Sequence, residues 1–279
     1  TEIWNQEFGD ALPGSPGGWD TTFFASFAIF NGELIIANGV NKPLIVDTDL
    51  NVSFLQDLAD NSNANTPIAR FVVAHKRYLV FAGSLTPGEE DRLFLSATDT
   101  GGTFVGDSAP NDAVNVDLGS RVPSGSSAIK GIGRFRDNLI VFFENAILPG
   151  TLGTFVDNVH IPTFDDAFEN VGAISHRAIQ TIDEDMIFGD TSGVASIRRA
   201  LFTGDVSTTR ASQLIDPEYL ASINKIRSVI ALEDRTWSLW DSTANNFMLF
   251  LHDSDVVEDT TETRSFVYKR NRELDIAAW

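Results

Sequence analysis

The chain contains no cysteine, only two methionines, three tyrosines and four histidines in 279 residues. The missing thiols exclude a disulfide framework, a thiolate metal site and a cysteine nucleophile. They leave the compartment open, because a thiol-free chain is indifferent to redox state. Cationic residues are scarce as well: 20 Lys and Arg stand against 39 Asp and Glu, a net charge of −19. Tight general binding to nucleic acid, which needs clustered cations to displace counterions, is therefore excluded, and an anionic membrane surface is equally unsuited. No apolar run reaches the roughly 18 residues of a membrane-spanning helix, and no basic segment followed by an apolar stretch marks a signal peptide. The first residue is Thr1 rather than Met, which points to processing or to a piece of a longer chain.

Convincing long helices are also lacking. One short helix is predicted where Asp216 can cap and Pro217 can occupy the first turn, continuing through residues 219–224. What the chain does have is apolar bulk, with 43% hydrophobic residues and 21 phenylalanines. A chain this long can remove about 75% of its unfolded surface from water. The first 22 residues, with Leu12-Pro13-Gly14-Ser15-Pro16-Gly17-Gly18, read as an extended lead-in, and residues 23–279 read as one domain.

That domain is organised around residues 128–145. Two strands meet at a polar turn, Arg136-Asp137-Asn138, and the second strand is apolar on both faces: Leu139, Val141 and Phe143 point one way, Ile140 and Phe142 the other. A strand of this kind needs protein on both sides. Without helices to cover it, the remaining solution is sheets stacked face to face. The same phrase recurs along the chain. Residues 23–30, the turn Asn31-Gly32 and residues 33–39 carry the strongest short-range hairpin signal, with a third strand at 43–47. Residues 70–75, Lys76-Arg77 and 78–83 repeat it, followed by 92–98. Further copies are 178–182, an acidic turn, 186–189 and 193–198; then 226–232, Glu233-Asp234-Arg235, 236–241 and 246–252. Turn residues Gly32, Arg77, Asp137, Glu184 and Asp234 are spaced by 45, 60, 47 and 50 residues. Four short strands with their turns occupy roughly 40–50 residues, as in propeller blades. The long interval contains residues 109–125, an inserted loop or extra strand. The expectation is an all-β chain, a β-propeller of about five to six blades, with paired β-sandwiches as the alternative. Residues 274–279 look like the start of another strand, so residues outside this chain are expected to complete the propeller.

Chemistry is harder to find. Ala97-Thr98-Asp99-Thr100-Gly101-Gly102-Thr103-Phe104 resembles the Asp-box of sialidase-type propellers, Ser-x-Asp-x-Gly-x-Thr-Trp, with Ala97 and Phe104 departing from it. Its carboxylate is expected to accept N–H bonds inside the turn. It is a structural turn, remote from catalysis in that family, and the arginine cluster and Phe-Arg-Ile-Pro signature of a sialidase are missing. Asp47-Thr48-Asp49-Leu50-Asn51 has the spacing of a calcium loop, but Val52 stands where Gly is needed and Leu58 where Glu is needed, so a solvated turn is expected. The acidic run 253–262 reads as an exposed loop. His75, His160, His176 and His252 never fall at metal-ligand spacing. Gly131-Ile132-Gly133 lacks the third glycine and the helix of a dinucleotide site. Lys130, Arg134 and Arg136 read as solvated hairpin ends. No catalytic, cofactor-binding or metal-ligating residue is assigned, no cofactor is expected, and the chain is not expected to be an enzyme.

Residues 170–224 carry the most specific resemblance. Asn-Val-Gly-Ala-Ile-Ser-His-Arg-Ala-Ile-Gln is followed by an acidic turn, by Met-Ile-Phe-Gly-Asp-Thr-Ser-Gly-Val-Ala-Ser-Ile-Arg, and by Leu214-Ile215-Asp216-Pro217 and the short helix. This resembles the β-propeller nozzle or hub proteins in the tails of short-tailed double-stranded DNA bacteriophages, in which a Gly-Ala-x-Ser strand, a Phe-x-x-x-x-Gly-Val hairpin and an Ile-x-Pro helix follow one another. Arg134-Phe135, the turn and Leu139-Ile140-Val141-Phe142 also look like a hairpin of that family. The resemblance implies a structural virion protein, located in the phage tail, assembled as a homo-oligomeric ring of about six copies around the DNA exit channel. Portal or adaptor and other tail proteins would be partners, and DNA would pass without specific binding, since an acidic lumen repels it. Two other readings stand beside it. A carbohydrate-binding or glycan-processing propeller would need an axial pocket lined by aromatics such as Trp237 and Trp240; a protein-interaction propeller would need none.

Overall fold

Alternating and doubly apolar runs become strands because successive side chains point to opposite faces, so each run offers a sheet one or two surfaces to bury. The computed structural model describes residues 19–20, 24–55, 65–97, 99, 103–104, 113–123, 128–152, 155–156, 159–160, 162–182, 185–197, 216–226, 236–244, 246–254, 261–271 and 276–278. In chain order the elements are β1 (Ser26–Phe30), β2 (Glu33–Ala37), β3 (Leu44–Val46), β4 (Val52–Phe54), β5 (Phe71–His75), β6 (Tyr78–Ala82), β7 (Arg92–Leu95) and β8 (Val114–Asp117). Then come β9 (Ile129–Phe135), β10 (Asn138–Phe143), β11 (Ala146–Thr151), β12 (Phe155–Val156), β13 (Val159–His160), β14 (Thr163–Phe164) and β15 (Phe168–Glu169). The last are β16 (Ile179–Ile182), β17 (Asp185–Asp190), β18 (Gly193–Ser196), α1 (Asp216–Ile226), β19 (Trp237–Asp241), β20 (Asn246–Ser254), β21 (Thr261–Asn271) and β22 (Ile276–Ala278).

Five antiparallel sheets carry the fold: β1-β2-β3-β4, β5-β6-β7-β8, β9-β10-β11 with β14 and β15 added to β11, β16-β17-β18, and β19-β20-β21-β22. In four of them the strands run in sequence order, the up-and-down blade of a propeller, and in the third β9-β10-β11 does so before β14 and β15 join β11 across β12 and β13. The chain is an all-β protein of the β-propeller class with five blade-type sheets. Contacts divide it into two compact units, Thr1–Leu118 with Leu152–Thr163, and Gly119–Thr151 with Phe164–Trp279.

In the first unit the sheets β1–β4 and β5–β8 share a core of Ala28, Phe30, Ile35, Val72, Leu79, Phe81 and Phe94. Ser26 stitches them together: the Val72 amide donates to its hydroxyl oxygen at 3.1 Å. Three hairpins place their first turn residue at positive φ, Asn31, Lys76 and Arg136. Only at Asn31 does the residue type suit that region, and Gly32 follows with φ +85. The interval 109–125 supplies β8, a fourth strand that completes its sheet on β7.

In the second unit β9 and β10 form the expected hairpin, with Asn138 opposite Phe135. Leu139, Ile140, Val141, Phe142 and Phe143 are all fully buried, as their two-faced pattern requires. Phe142 packs on Phe188 with ring centroids 5.1 Å apart, and burying a side chain of that size stabilises by roughly 1.5–3 kcal/mol. A second core joins Ile174, Ile187 and Val194 to Tyr219 and Ile223 of α1 and to Phe247, Leu249 and Leu251 of β20. Polar stitches join the sheets here too: Ser238 Oγ donates to the Arg177 carbonyl and Gln180 Nε2 to the Ser238 carbonyl, both at 3.0 Å.

Two expectations change. The strand expected at 226–232 begins on the last residue of α1, and residues 227–235, with the turn around Asp234, lie outside the described residues. The acidic run 253–262 is not simply a loop: β20 and β21 continue into it, pairing Asp253 with Glu262 and Ser254 with Thr261. Its polar residues hid two strand ends. β11 went unread because Pro149-Gly150 looks like a breaker, yet Pro149 sits opposite Ile140 in the ladder. The strand expected at 274–279 is β22, which pairs with β21.

Candidate functional site

The hairpin turns of the first unit converge on Asp99. Its backbone takes φ +61, its amide donates to the Arg77 carbonyl at 2.9 Å, and its carbonyl accepts from Asn31 Nδ2 at 2.9 Å. The carboxylate is held by the Arg77 guanidinium, with Nε at 3.0 and 2.9 Å from its two oxygens and Nη2 closing the pair. That pairing holds the Asp99 carboxyl below its ordinary range and pushes Arg77 up. The Asp-box aspartate takes the left-handed backbone conformation itself and clamps the neighbouring hairpin through Arg77; the amides of its own turn, expected as its donors, are among the residues not described. Residues 98 and 100–102 of the box lie outside the described residues. Phe104, in the place of the family's tryptophan, is buried edge-to-face on Phe81 at 5.5 Å. The constellation ties the turns at Asn31, Arg77 and Asp99 together.

Asp47 closes the β3–β4 turn. Its Oδ1 accepts from the Asp49 and Asn51 amides at 2.9 and 2.8 Å, and its Oδ2 accepts from Asn51 Nδ2 at 2.9 Å. The Asn51 side chain, more than any other cause, holds its carboxyl below the ordinary value. Carboxylate oxygens spent on their own turn are poor ligands for a hard cation. Among the described residues no group of three His, Asp or Glu side chains could hold a metal. His75 is buried at the end of β5, and His176 Nδ1 accepts from the Ile132 amide at 3.4 Å. His160 and His252 lie on β13 and β20.

The second unit hides two carboxylates that the sequence reading passed over. Asp190, at the end of β17, accepts from the Gly172 amide at 2.9 Å, from the Ser192 amide at 3.0 Å and from the Ser192 hydroxyl. Burial raises its pKa, against the pull of those donors. Asp185, at the other end of the same strand, accepts from Ser196 Oγ at 2.7 and 2.6 Å. Signals were available: Asp190-Thr-Ser192 is an Asx-turn pattern, and Asp185 and Ser196 both flank the β17–β18 hairpin. Their partners are backbone amides and hydroxyls that fix the ends of β17.

Gly131 and Gly133 sit where side chains press in. A Cβ at Gly131 would meet Ile179 Cδ1 at 2.6 Å and His176 Cα at 3.1 Å, and one at Gly133 would meet Met186 Cε at 3.0 Å. They are packing glycines. Arg134 and Arg136 are exposed at their hairpin end, and the Arg136 guanidinium lies 5.3 Å from the centre of the Phe135 ring. Trp237 and Trp240, offered as walls of one pocket, are three residues apart on β19 and so face opposite ways. Trp237 stacks on Phe250 at 3.9 Å, whereas Trp240 packs against the core around Tyr219. The two tryptophans do not converge.

No protein-family model matches the chain, and no curated protein does. Solved structures with a similar backbone include the extracellular domain of a hybrid two-component system of B. thetaiotaomicron, at 10% identity and a TM-score of 0.39, covering 66% of this chain and 22% of that one. Another is the extracellular domain of a one-component system of the same organism, at 12% identity and a TM-score of 0.43, covering 85% of this chain and 27% of that one. The chain thus spans about a quarter of the length of those proteins. No helix among the described residues is long and apolar enough to cross a membrane, which says nothing of strands.

Proposed function

We propose that this chain is a structural, non-catalytic propeller of a tailed-phage virion, part of a nozzle or hub ring around the DNA exit channel. The observation that carries the reading is how the residues of the 170–224 resemblance fit one another. Gly172 of the Gly-Ala-x-Ser phrase donates to Asp190 of the hairpin phrase, and Tyr219 of the helix donates to the Asp190 carbonyl at 2.6 Å. Three separate phrases of the resemblance thus meet at one residue, as expected of a shared scaffold. A net charge of −19 suits a wall past which DNA slides, because like charge keeps the polyanion from adhering. The same acidity makes sequence-specific grip on the DNA unfavourable.

The test is the particle itself. Mass spectrometry and antibody labelling of purified virions are expected to find the chain at the tail, together with portal or adaptor proteins. Particles lacking it are expected to package DNA but fail to deliver it. A chain confined to the infected cell and missing from particles sinks the reading.

A further inference from the structure

Two Asn-Gly pairs stand in the sequence, Asn31-Gly32 and Asn38-Gly39. An asparagine before glycine is the pair most prone to lose its side-chain amide, because the attacking backbone nitrogen belongs to a residue with no Cβ to shield it. The two pairs have opposite surroundings. Asn38 is fully buried, and both ends of its amide are engaged. Nδ2 donates to the Asp20 carbonyl and to Asn41 Oδ1, each at 2.9 Å. Oδ1 accepts from the Val40 and Asn41 amides at 3.1 and 2.9 Å. Gly39 is buried as well, with Arg70 Cγ pressed against the place a Cβ would take.

Asn31 and Gly32 are both exposed at the tip of the β1–β2 hairpin. Phe30 and Glu33 are the last aligned pair of that ladder, so the Gly32 amide lies outside it. Nothing comes within 4 Å of the place a Cβ on Gly32 would take. The Asn31 amide is held by the bond from Nδ2 to the Asp99 carbonyl at 2.9 Å. Asp99 is in turn fixed by Arg77, through its guanidinium and through the bond from the Asp99 amide to the Arg77 carbonyl.

We infer that Asn31 is a site of spontaneous deamidation in the folded chain, and that the Asp99 turn is the catch that sets its rate. The Gly32 nitrogen forms a bond to Asn31 Cγ, the Cγ–Nδ2 bond breaks, and ammonia leaves with the proton that Gly32 gives up. Water then opens the resulting succinimide ring at either of its carbonyls. One opening gives an aspartate; the other gives an isoaspartate, in which the backbone runs through Cγ. While Nδ2 stays on Asp99 the side chain is committed to the neighbouring turn, and it must let go before its Cγ can meet the Gly32 nitrogen. Arg77, by fixing Asp99, therefore slows the reaction. Both products lose the donor that Nδ2 supplied to Asp99 and place a new carboxylate beside that carbonyl, in a chain already at −19. Isoaspartate also lengthens the two-residue loop that sets the β1–β2 register. The reaction needs only water and the folded chain, whatever assembly the chain joins.

The test is to hold the purified folded chain at mildly alkaline pH and sample it over time. Cleavage after Glu33 separates the two pairs, and peptide mass mapping reads the amide-to-acid exchange at each. Asn31 is expected to convert about tenfold faster than Asn38 or more, because Asn38 reacts only through local opening of its buried site. In denaturant the two are expected to convert at similar rates, since each is then the same dipeptide in water. Arg77→Ala frees the Asp99 turn and is expected to speed conversion at Asn31 about fivefold, the factor that a hydrogen bond of ordinary strength is worth, while leaving Asn38 as it was. The Arg77–Asp99 pair is exposed, so the melting curve of this variant is expected to change little and to exclude unfolding as the cause. A folded chain in which Asn31 stays intact while the denatured chain converts, or in which Asn38 keeps pace with it, overturns the site. An Arg77→Ala rate equal to that of the wild type overturns the catch.

Discussion

The hydroxyl of Tyr219 donates to the carbonyl of Asp190 at 2.6 Å, fastening α1 to the end of β17 at a point with no solvent access. The ring is fully buried and meets Phe266 edge-on at 5.8 Å, so one side chain supplies both a hydrogen bond and much of the packing beneath the helix. Tyr219→Phe removes the bond alone and is expected to cost about 1 kcal/mol, up to roughly 3 for a buried carbonyl left without its donor. Tyr219→Ala also empties the site and is expected to cost about 3–5 kcal/mol. Denaturant titration of the two variants separates the contributions.

Two glycines separate rigid from yielding crowding. A Cβ at Gly172 would fall inside the carbonyl oxygens of Phe143 and Glu144, both backbone atoms. Gly172→Ala is therefore expected to cost about 3 kcal/mol or more, at the top of the range for overpacking. A Cβ at Gly150 would meet ring atoms of Phe164 at 2.5 and 2.6 Å, and a partly buried ring can turn aside. Gly150→Ala is expected to cost less, about 1–2 kcal/mol. Thermal melts that rank the pair the other way would refute this account.

Asp190 gives stability an unusual pH dependence. Its folded pKa is raised by burial, so the folded protein holds a proton that the unfolded chain has already released. Stability from this group is full below the ordinary carboxylate pKa and is lost as pH rises toward the raised folded value. Asp99 works in the opposite sense: Arg77 depresses its pKa, and what it contributes is present above the ordinary value and fades on acidification. Asp190→Asn removes the first effect. The variant, which disturbs the donors from Gly172 and Ser192, is expected to be destabilised most at acidic pH and progressively less toward neutrality. Chemical unfolding at a series of pH values reads that convergence.

Ser196→Ala takes from the buried Asp185 carboxylate the one hydroxyl donor that lies within 2.7 and 2.6 Å of its two oxygens. The expected loss is about 1–3 kcal/mol, the range for a buried polar group deprived of a partner. Ser196→Thr keeps the hydroxyl and is expected to recover part of it, measured by the same unfolding titration.

The sequence disclosed strands wherever burial wrote a period into it. The β5–β6 and β9–β10 hairpins appear within a residue or two of their expected ends because Leu79–Ala82 and Leu139–Phe143 are apolar on both faces. The start of β21 was illegible for the opposite reason: Thr261-Glu262-Thr263-Arg264 carries no apolar period, and only its ladder with β20 marks it as strand. At Ile226 the apolar run 226–232 looked like a strand, but the capping signals at Asp216-Pro217 carried the helix into its first residue. Polar anchors were harder still. That Asp190 meets both Gly172 and Tyr219 depends on separations of 18 and 29 residues, which no local pattern encodes. The parity of Trp237 and Trp240 was readable from strand geometry alone.

The sequential strand order within four of the five sheets has a consequence for how the molecule comes into being. Four of the five sheets pair only strands that are neighbours along the chain, so their loop-closure entropy is small, and each can zip up from its own turn as soon as that turn is synthesised. Asn31-Gly32, whose residue types match its backbone, is placed to start first. β-proteins with distant pairings fold slowly because long loops must close before contacts repay them. Here assembly can proceed vectorially from the ribosome, one blade at a time, with the slow step left to docking between finished sheets.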